Sequence, residues 1–168
     1  MRYDSRLPQA RNKQLFVALL AVFALLILAS AGQAREIARQ VSSPEASLLS
    51  SMNAVRQSHG LPALRLDAHL VRAAEGHSTD MMKRQYFAHG AILARALAAG
   101  ARGPRFGEDL AWSTGLTPQW VVDRWLASPA HRAILLRPGF RRVGIGIVFG
   151  TFIGHGGAGV VTADFAGR

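Results

Sequence analysis

The 168-residue chain contains no cysteine. This absence excludes a disulfide scaffold, a thiolate zinc site, a catalytic thiol and lipidation at an N-terminal cysteine. Acidic residues are also scarce, with 10 Asp and Glu against 20 Lys and Arg, so the formal net charge is +10 and an anionic partner is expected. Because 49% of the residues are apolar, the composition excludes a disordered polar chain and a collagen-like chain. The length fits one domain with its own core.

The N-terminal segment has the pattern of an export signal. Four basic residues come first: Arg2, Arg6, Arg11 and Lys13. An unbroken apolar run of 15 residues follows, from Leu15 to Ala29, and small residues then continue to Ala34. These are the parts of a secretory signal peptide. The run is shorter than the roughly 20 residues that cross a bilayer, which favours cleavage after Ala31 or Ala34 over an uncleaved anchor.

On either interpretation the rest of the chain lies outside the cytoplasmic membrane. We therefore predict a signal peptide or N-terminal anchor over residues 1–34, a short linker over residues 35–46 and a folded domain over residues 47–168. Localisation is expected to be secreted, periplasmic or anchored through the N-terminal segment, the only part expected to touch a membrane. Residues 35–168 keep 16 basic and 9 acidic residues. The expected anionic partner is an envelope component or lipid, since export makes nucleic acid an unsuitable one.

Two helices are predicted at the start of the domain. Ser42 precedes Pro44 and stands at capping-box spacing from Glu45, which indicates a helix start, and Gly60 supplies the stop. Asp67 predicts the cap of a second helix. The buried face of that helix follows steps of four, three and four residues, through Leu70, Ala74, His77 and Met81.

Further helices are predicted over Ala91–Ala99, from Thr117-Pro118 onward, and as one more turn from Ser128-Pro129 to Leu135. The period then changes to two. Over residues 143–149 bulky side chains alternate with Gly144, Gly146 and Val148, which predicts a strand with one slim face open to close approach by another backbone or a helix.

A flexible glycine-rich link is predicted over Gly150–Gly159, before a second strand over Val160–Phe165. Helices first and strands last indicate an α+β domain, with helices packed on a small antiparallel sheet. The link contains a G-x-G-x-x-G pattern, but it leads into a strand and so predicts no dinucleotide site. The sequence also contains no G-x-S-x-G nucleophile elbow.

Polar residues in apolar surroundings are the candidate site. His77 lies on the apolar face of the second helix, Glu108 opens an apolar segment, and His131 follows Ser128-Pro129. Two histidines and a glutamate suit zinc with an open position, although their spacing carries no metal signature. The alternative for His77 is a core histidine bonded to a backbone carbonyl. His89 either reaches the same cleft or caps the second helix.

The three tryptophans have two interpretations as well. Trp112, Trp120 and Trp125 either line an apolar ligand pocket or belong to the core, as aromatic residues at helical spacing usually do.

Taken in order, several segments resemble the CAP superfamily (cysteine-rich secretory proteins, antigen 5 and pathogenesis-related 1), in the bacterial SCP-domain form without cysteines. The resemblance runs from Leu49 to Phe165. Its motifs are Ala74–Met81 (AEGHSTDM), Phe87–His89 (FAH), Gly107–Ala111 (GEDLA), Trp125–Arg132 (WLASPAHR), Arg142–Gly146 (RVGIG) and Val161–Phe165 (VTADF).

The resemblance implies an α-β-α sandwich with a central cleft that holds two histidines and usually two glutamates. Some family members bind zinc or another divalent cation there. His77 and His131 match the histidines, and Glu108 matches the first glutamate. The second glutamate falls on Ser128, as it often does in bacterial relatives. Asp109 replaces the usual Asn and offsets part of the lost charge.

The expected cleft residues are therefore His77, His89, Glu108, Asp109, Ser128 and His131. His77, Glu108 and His131 are the expected ligands if zinc or another divalent cation is bound, and the sequence requires no cofactor. Three functions stay open: a binding module for an envelope lipid, glycan or partner protein; a metal-dependent hydrolase or protease; and a cleft whose polar network is purely structural. Because shared fold does not fix function, the sequence assigns no catalytic residue.

Overall fold

The computed structural model describes residues 43–167. The helices in this part of the chain are α1 (Pro44–Ser58), α2 (Ala68–Arg84), α3 (Ile92–Ala98), α4 (Pro118–Ala127) and α5 (Pro129–Leu135). The strands are β1 (Arg65–Leu66), β2 (Phe106–Ser113), β3 (Phe140–Phe152) and β4 (His155–Gly167). The predicted export segment and the first eight residues of the predicted linker lie outside the described residues. None of the described helices is long and apolar enough to cross a membrane.

The helix starts follow the predicted caps with one difference. Asp67 accepts hydrogen bonds from the first backbone amides of α2, and the Thr117 hydroxyl accepts one from Trp120. For α1 the cap is Ser43, whose hydroxyl accepts from the Ala46 amide at 3.1 Å. Ser42, the predicted cap, lies outside the described residues. Placing the cap at Ser43 puts Pro44 at the first helical position, where its missing amide proton is not needed.

The sheet has the strand order β1-β3-β4-β2. β4 pairs antiparallel with both β3 and β2, whereas the two-residue β1 runs parallel to β3, so the sheet is mixed rather than purely antiparallel. The predicted link over residues 150–159 is almost entirely strand. The chain reverses at Ile153-Gly154, both with positive φ, as a two-residue hairpin turn requires. β2, which the sequence suggested only as an apolar segment, is the second edge strand.

The three layers of the predicted α-β-α sandwich are confirmed. α2 packs on the slim face of β3, where Gly144 lies under Leu70 and Gly146 lies under Ala74. The opposite face of the sheet packs against α1, α4 and α5. Its apolar core includes Leu48, Met52, Val121, Val122, Trp125, Val143, Ile145 and Phe165. Burial of these side chains is the main stabilising contribution, since no disulfide is available.

A buried arginine joins α1 to the segment between α5 and β3. Arg56 is fully buried and donates hydrogen bonds to the carbonyl oxygens of Leu135 at 2.6 Å and Phe140 at 3.0 Å. Its guanidinium also donates to the carbonyls of Pro62 and Arg137. A charge buried in this way is tolerated because its donors are satisfied, and the segment after α5 is fixed as a result.

We predict that Gly144→Ala destabilises the domain strongly. A Cβ at Gly144 would lie 1.9 Å from the carbonyl carbon of Leu70, so α2 would have to move off the sheet. The expected loss is about 3 kcal/mol in the free energy of unfolding, measured by urea denaturation.

Gly156→Ala is the matched control for this prediction. Gly156 also lies in the β3–β4 hairpin, but a Cβ there would meet nothing within 4 Å. We expect a change within about 0.5 kcal/mol. Equal effects of the two substitutions would contradict the close approach of α2 to β3.

Candidate functional site

The centre of the candidate site is a buried carboxylate on β2. Glu108 is 4% exposed and points toward α2 and α3. It pairs in register with Asp164 of β4, so both acidic side chains project from the same face of the sheet. The guanidinium of Arg95, on α3, forms ion pairs with both of them. Its Nη2 contacts Glu108 Oε2 and lies 3.2 Å from Asp164 Oδ1. With His77 and His89, these residues form what we call the Glu108 cluster.

The two histidines of the cluster approach Glu108 from different sides. His89 Nδ1 lies 2.7 Å from Glu108 Oε1, which places the imidazole of His89 beside that carboxyl group. His77 Nε2 lies 3.7 Å from Glu108 Oε2 and 2.9 Å from the carbonyl oxygen of Ala88. The carbonyl can only accept, so the Nε2 of His77 carries the proton. Both interpretations of His77 are therefore present together: it is bonded to a backbone carbonyl and it borders the cleft.

Burial controls the protonation of the cluster. Desolvation raises the pKa of both Glu108 and Asp164, and the attraction of Arg95 only partly opposes it. The closeness of Asp164 adds to the rise in the pKa of Glu108. Desolvation lowers the pKa of His77, and the positive charge of Arg95 lowers it further. The cluster thus places the guanidinium of Arg95 against two carboxyl groups whose pKa is raised, beside the His77 imidazole, whose pKa is lowered.

His131 and Ser128 lie outside this cluster. Ser128 stands at the junction of α4 and α5, and His131 lies in the first turn of α5. The ring of His131 is 6.4 Å from the ring of His89, centroid to centroid. Burial lowers the pKa of His131, and the proximity of His89 adds to this effect. His89 therefore stands between His131 and Glu108.

Asp109 is separated from Glu108 by the pleat of β2. Successive side chains of a strand point to opposite faces, so Asp109 faces the apolar core that contains its neighbour Ala111. Asp109 is fully buried, and neither carboxyl oxygen has a hydrogen-bond partner among the described residues. Burial raises the pKa of Asp109 to about 8. It lies on the face of the sheet opposite Glu108, so it adds no carboxylate to the Glu108 cluster.

A pocket of about 300 Å³ adjoins the site at the edge of β2. We call it the aromatic pocket. Its lining consists of Phe87, Leu110, Ala111, Trp112, Trp120, Arg124, Trp125, Ser128 and His131. All three tryptophans of the chain contribute to it. Trp125 also belongs to the core, where its indole donates to the Leu110 carbonyl at 2.9 Å. It therefore lies both in the core and in the wall of the pocket.

The described residues do not form a ready divalent-metal site. No three His, Asp or Glu side chains in residues 43–167 are grouped in a way that would hold a metal ion. His77 Nε2 donates to a carbonyl, and Arg95 binds the Glu108 carboxylate where a cation would bind. The donor set His77, Glu108 and His131 therefore does not fit a metal in this arrangement, and we derive no metal-dependent step.

Sequence reasoning missed Arg95 and Asp164. Arg95 lies on a short surface helix with nothing in the local pattern to distinguish it. A signal for Asp164 was available, because a carboxylate between Ala163 and Phe165 in an apolar strand must be desolvated if the strand is central.

We predict that Asp109 gives the domain a pH-dependent stability. In the unfolded chain Asp has a pKa of about 3.9. The unfolded state therefore loses this proton first as the pH rises. The free energy of unfolding should fall between about pH 4 and pH 8, by up to about 1.4 kcal/mol per pH unit from this group. In Asp109→Asn the part of this pH dependence that comes from Asp109 should disappear. Urea denaturation at several pH values measures the free energy of unfolding of both proteins.

Asp123→Asn is the control, because it removes an exposed acid from α4. We expect its pH dependence to match that of the unsubstituted chain. If Asp109→Asn had the same slope as the unsubstituted chain, the buried, unpartnered state of Asp109 would be refuted.

Comparisons with known proteins agree with this architecture. The sequence profile of the cysteine-rich secretory protein (CAP) family matches residues 49–164. Uncharacterized protein YkwD of Bacillus subtilis (strain 168) is 34% identical over 113 residues, which cover 64% of this chain and 44% of that protein. Uncharacterized membrane protein YlbC of the same organism is 32% identical over 108 residues, covering 61% and 31%. The chain thus spans less than half the length of these curated relatives.

Solved structures with the same fold include an outer surface protein from Borrelia burgdorferi. It has a TM-score of 0.66 at 19% identity and covers 76% of this chain and 95% of that chain. An extracellular protein containing a SCP domain from Bacillus anthracis str. Ames has a TM-score of 0.61 at 26% identity, covering 72% and 39%. The profile match extends over more than half of the sequence, from the middle of α1 to the end of the sheet. The chain therefore belongs to the cysteine-rich secretory protein family, as a member that contains no cysteine.

Proposed function

We propose that this CAP protein is an extracytoplasmic binding module that takes an envelope glycan in the aromatic pocket. The observation that carries the proposal is the convergence of all three tryptophans and Phe87 on one pocket at the edge of β2. Aromatic side chains provide large apolar surfaces at low entropic cost. A cavity of about 300 Å³ suits a small ligand or one unit of a polymer.

The polar residues of the pocket favour a glycan over a fatty acyl chain. Arg124, Ser128 and His131 are interspersed with the aromatic residues, and the Arg124 guanidinium lies 5.9 Å from the centre of the Trp120 ring. Leaving such polar groups against an acyl chain would cost free energy, because they would lose their hydrogen bonds to water. A sugar ring combines apolar faces with hydroxyl groups, and it satisfies both kinds of lining residue.

The contacts within the Glu108 cluster favour binding over hydrolysis. Arg95 and His89 engage the two carboxylate oxygens of Glu108, and the Nε2 proton of His77 is donated to Ala88. A general base needs a free lone pair within reach of the proton that it removes. In this arrangement the cluster supports the cleft wall, through α2, α3 and the segment that carries Phe87.

Three further observations support an extracytoplasmic place of action. Residues 1–34 have the pattern of a signal peptide or anchor. The Bacillus anthracis relative, 26% identical, is described as an extracellular protein. The excess of basic residues suits an anionic envelope as well.

The tryptophan fluorescence of the chain provides a direct test. Because all three tryptophans line the pocket, an occupant should change their emission. We expect soluble fragments of cell-wall glycan to shift the emission saturably. Trp120→Ala should weaken the affinity about tenfold or more, in the range found for aromatic residues at the centre of an interface.

Phe149→Ala is the matched control for Trp120→Ala. Phe149 is an aromatic residue with 54% exposure on β3 and does not line the pocket. We expect binding to be unchanged in this variant. Saturable binding of phospholipid vesicles but not of glycan fragments would overturn the glycan proposal, and so would equal losses in the two variants.

Removal of divalent cations tests the alternative of a metal-dependent hydrolase. We expect EDTA to leave both the melting temperature and the glycan-induced fluorescence change unaltered, because Arg95 and Ala88 already occupy the polar atoms of Glu108 and His77. A ligand that binds only the folded state raises the melting temperature, so stoichiometric zinc would be detected in this way. A marked stabilisation by added zinc, lost in His131→Ala, would favour the hydrolase instead.

A further inference from the structure

A second pocket lies at the other end of the sheet and is strongly basic. Its volume is about 400 Å³, and three arginines line it: Arg105, Arg137 and Arg141. Gly139, Phe140 and Gly167 form most of the rest of the wall. We call it the arginine pocket. It begins next to the first residue of β2, whereas the aromatic pocket lies along the second half of that strand.

The strand register explains why residues far apart in sequence meet here. Phe106, at the start of β2, pairs with Ala166 at the end of β4. Phe140, at the start of β3, pairs with Gly167. The chain therefore brings Arg105 and Arg141 to one end of the sheet, and the turn after α5 adds Arg137. No local sequence pattern indicates this convergence.

Two of the guanidinium groups are held in place by neighbours. The Arg137 guanidinium lies over the ring of Phe140, 5.4 Å from the centroid, and Phe140 itself is buried. Arg141 Nη1 donates to the carbonyl oxygen of Phe140 at 3.0 Å and also to that of Pro138. Buried Arg56 binds the carbonyls of this same turn from below. The pocket is therefore pre-organised, which reduces the entropy lost when a ligand binds.

The positive charge of the pocket is uncompensated within the described part of the chain. No Asp or Glu in residues 43–167 forms an ion pair with Arg105, Arg137 or Arg141. By contrast, nearby Arg142 is paired with Asp67 at 2.6 Å. Desolvation lowers the pKa of Arg56, and repulsion from Arg141 lowers it further, so like charges are close together here. Such a concave basic surface concentrates anions.

We propose that the arginine pocket binds a phosphate group. Guanidinium groups match the geometry of phosphate oxygens and bind them in pairs of hydrogen bonds. Three guanidinium groups around one pocket exceed what a single carboxylate can satisfy, whereas a phosphate offers several acceptor oxygens. The group can belong to a soluble phosphate ester, to a phosphate-containing polymer or to a lipid headgroup. This inference is independent of the glycan proposal, because the two pockets share no lining residue.

Isothermal titration of the full chain with glycerol phosphate, at low salt, tests the proposal. We expect saturable binding that weakens at least tenfold in Arg137→Gln and in Arg141→Gln, as loss of a charge-assisted hydrogen bond predicts. Arg105→Gln is a further variant in which we expect the same weakening, and the side chain that it replaces is exposed. Circular dichroism of each variant checks that the domain is folded.

Arg124→Gln is the matched control, because it removes the same charge from the aromatic pocket. We expect it to bind glycerol phosphate like the unsubstituted chain. Equal weakening in Arg124→Gln and Arg137→Gln would overturn the proposal, since the binding would then reflect net charge alone. Absence of any binding to the unsubstituted chain would overturn it as well.

Competition experiments identify the source of the phosphate. If vesicles of phosphatidylglycerol displace glycerol phosphate, and vesicles of phosphatidylcholine do not, a lipid headgroup reaches the pocket. If soluble poly(glycerol phosphate) binds more tightly than glycerol phosphate and vesicles do not compete, a polymer is the ligand. Either result supports phosphate binding, and neither depends on whether the aromatic pocket binds glycan.

Discussion

The close approach of α2 to the sheet is the contact on which the rest of the structure depends. Gly144 and Gly146 leave no side chain between β3 and the helix backbone, so Leu70 and Ala74 rest directly on the strand. Further along the same helix, the Ser78 hydroxyl donates to the Gly146 carbonyl at 2.9 Å and contacts Thr162 Oγ1 at 2.8 Å. These contacts fix the position of α2 on the sheet, and the position of His77 follows from them.

This approach also removes water from the acidic residues of the sheet. Asp164 lies on the central strand β4, and Glu108 lies opposite it on β2. With α2 and α3 above them, both carboxyl groups are desolvated, and one guanidinium, that of Arg95, contacts both. A buried charge is stable only when it is paired and hydrogen-bonded, so these groups depend on one another. The Glu108 cluster is consequently a buried polar network, and the aromatic pocket is a separate cavity at the edge of β2.

The basic residues divide into arginines with internal partners and arginines without an acidic partner among the described residues. Many arginines are satisfied internally: Arg56 by carbonyls, Arg95 by two acidic residues and Arg142 by Asp67. The arginines around the turn after α5 have no such acidic partner in the described residues. The positions of the arginines therefore say more about a possible ligand than the net charge of the chain does. A carbohydrate ligand and a phosphate would occupy opposite ends of β2 in our proposals.

The sequence by itself determined the features that depend on neighbouring residues. Helix caps at Asp67 and Thr117, the slim glycine face of β3 and the order of the family motifs are local patterns, and each predicted the structure that formed. The positions of Arg95 and Asp164, the strand β2 and both pockets depended on tertiary structure. Strand pairing and desolvation are interactions between residues distant in the chain, and no local spacing records them. The separation of Asp109 from Glu108 had the same origin, because only the formation of strand β2 turns adjacent side chains to opposite faces.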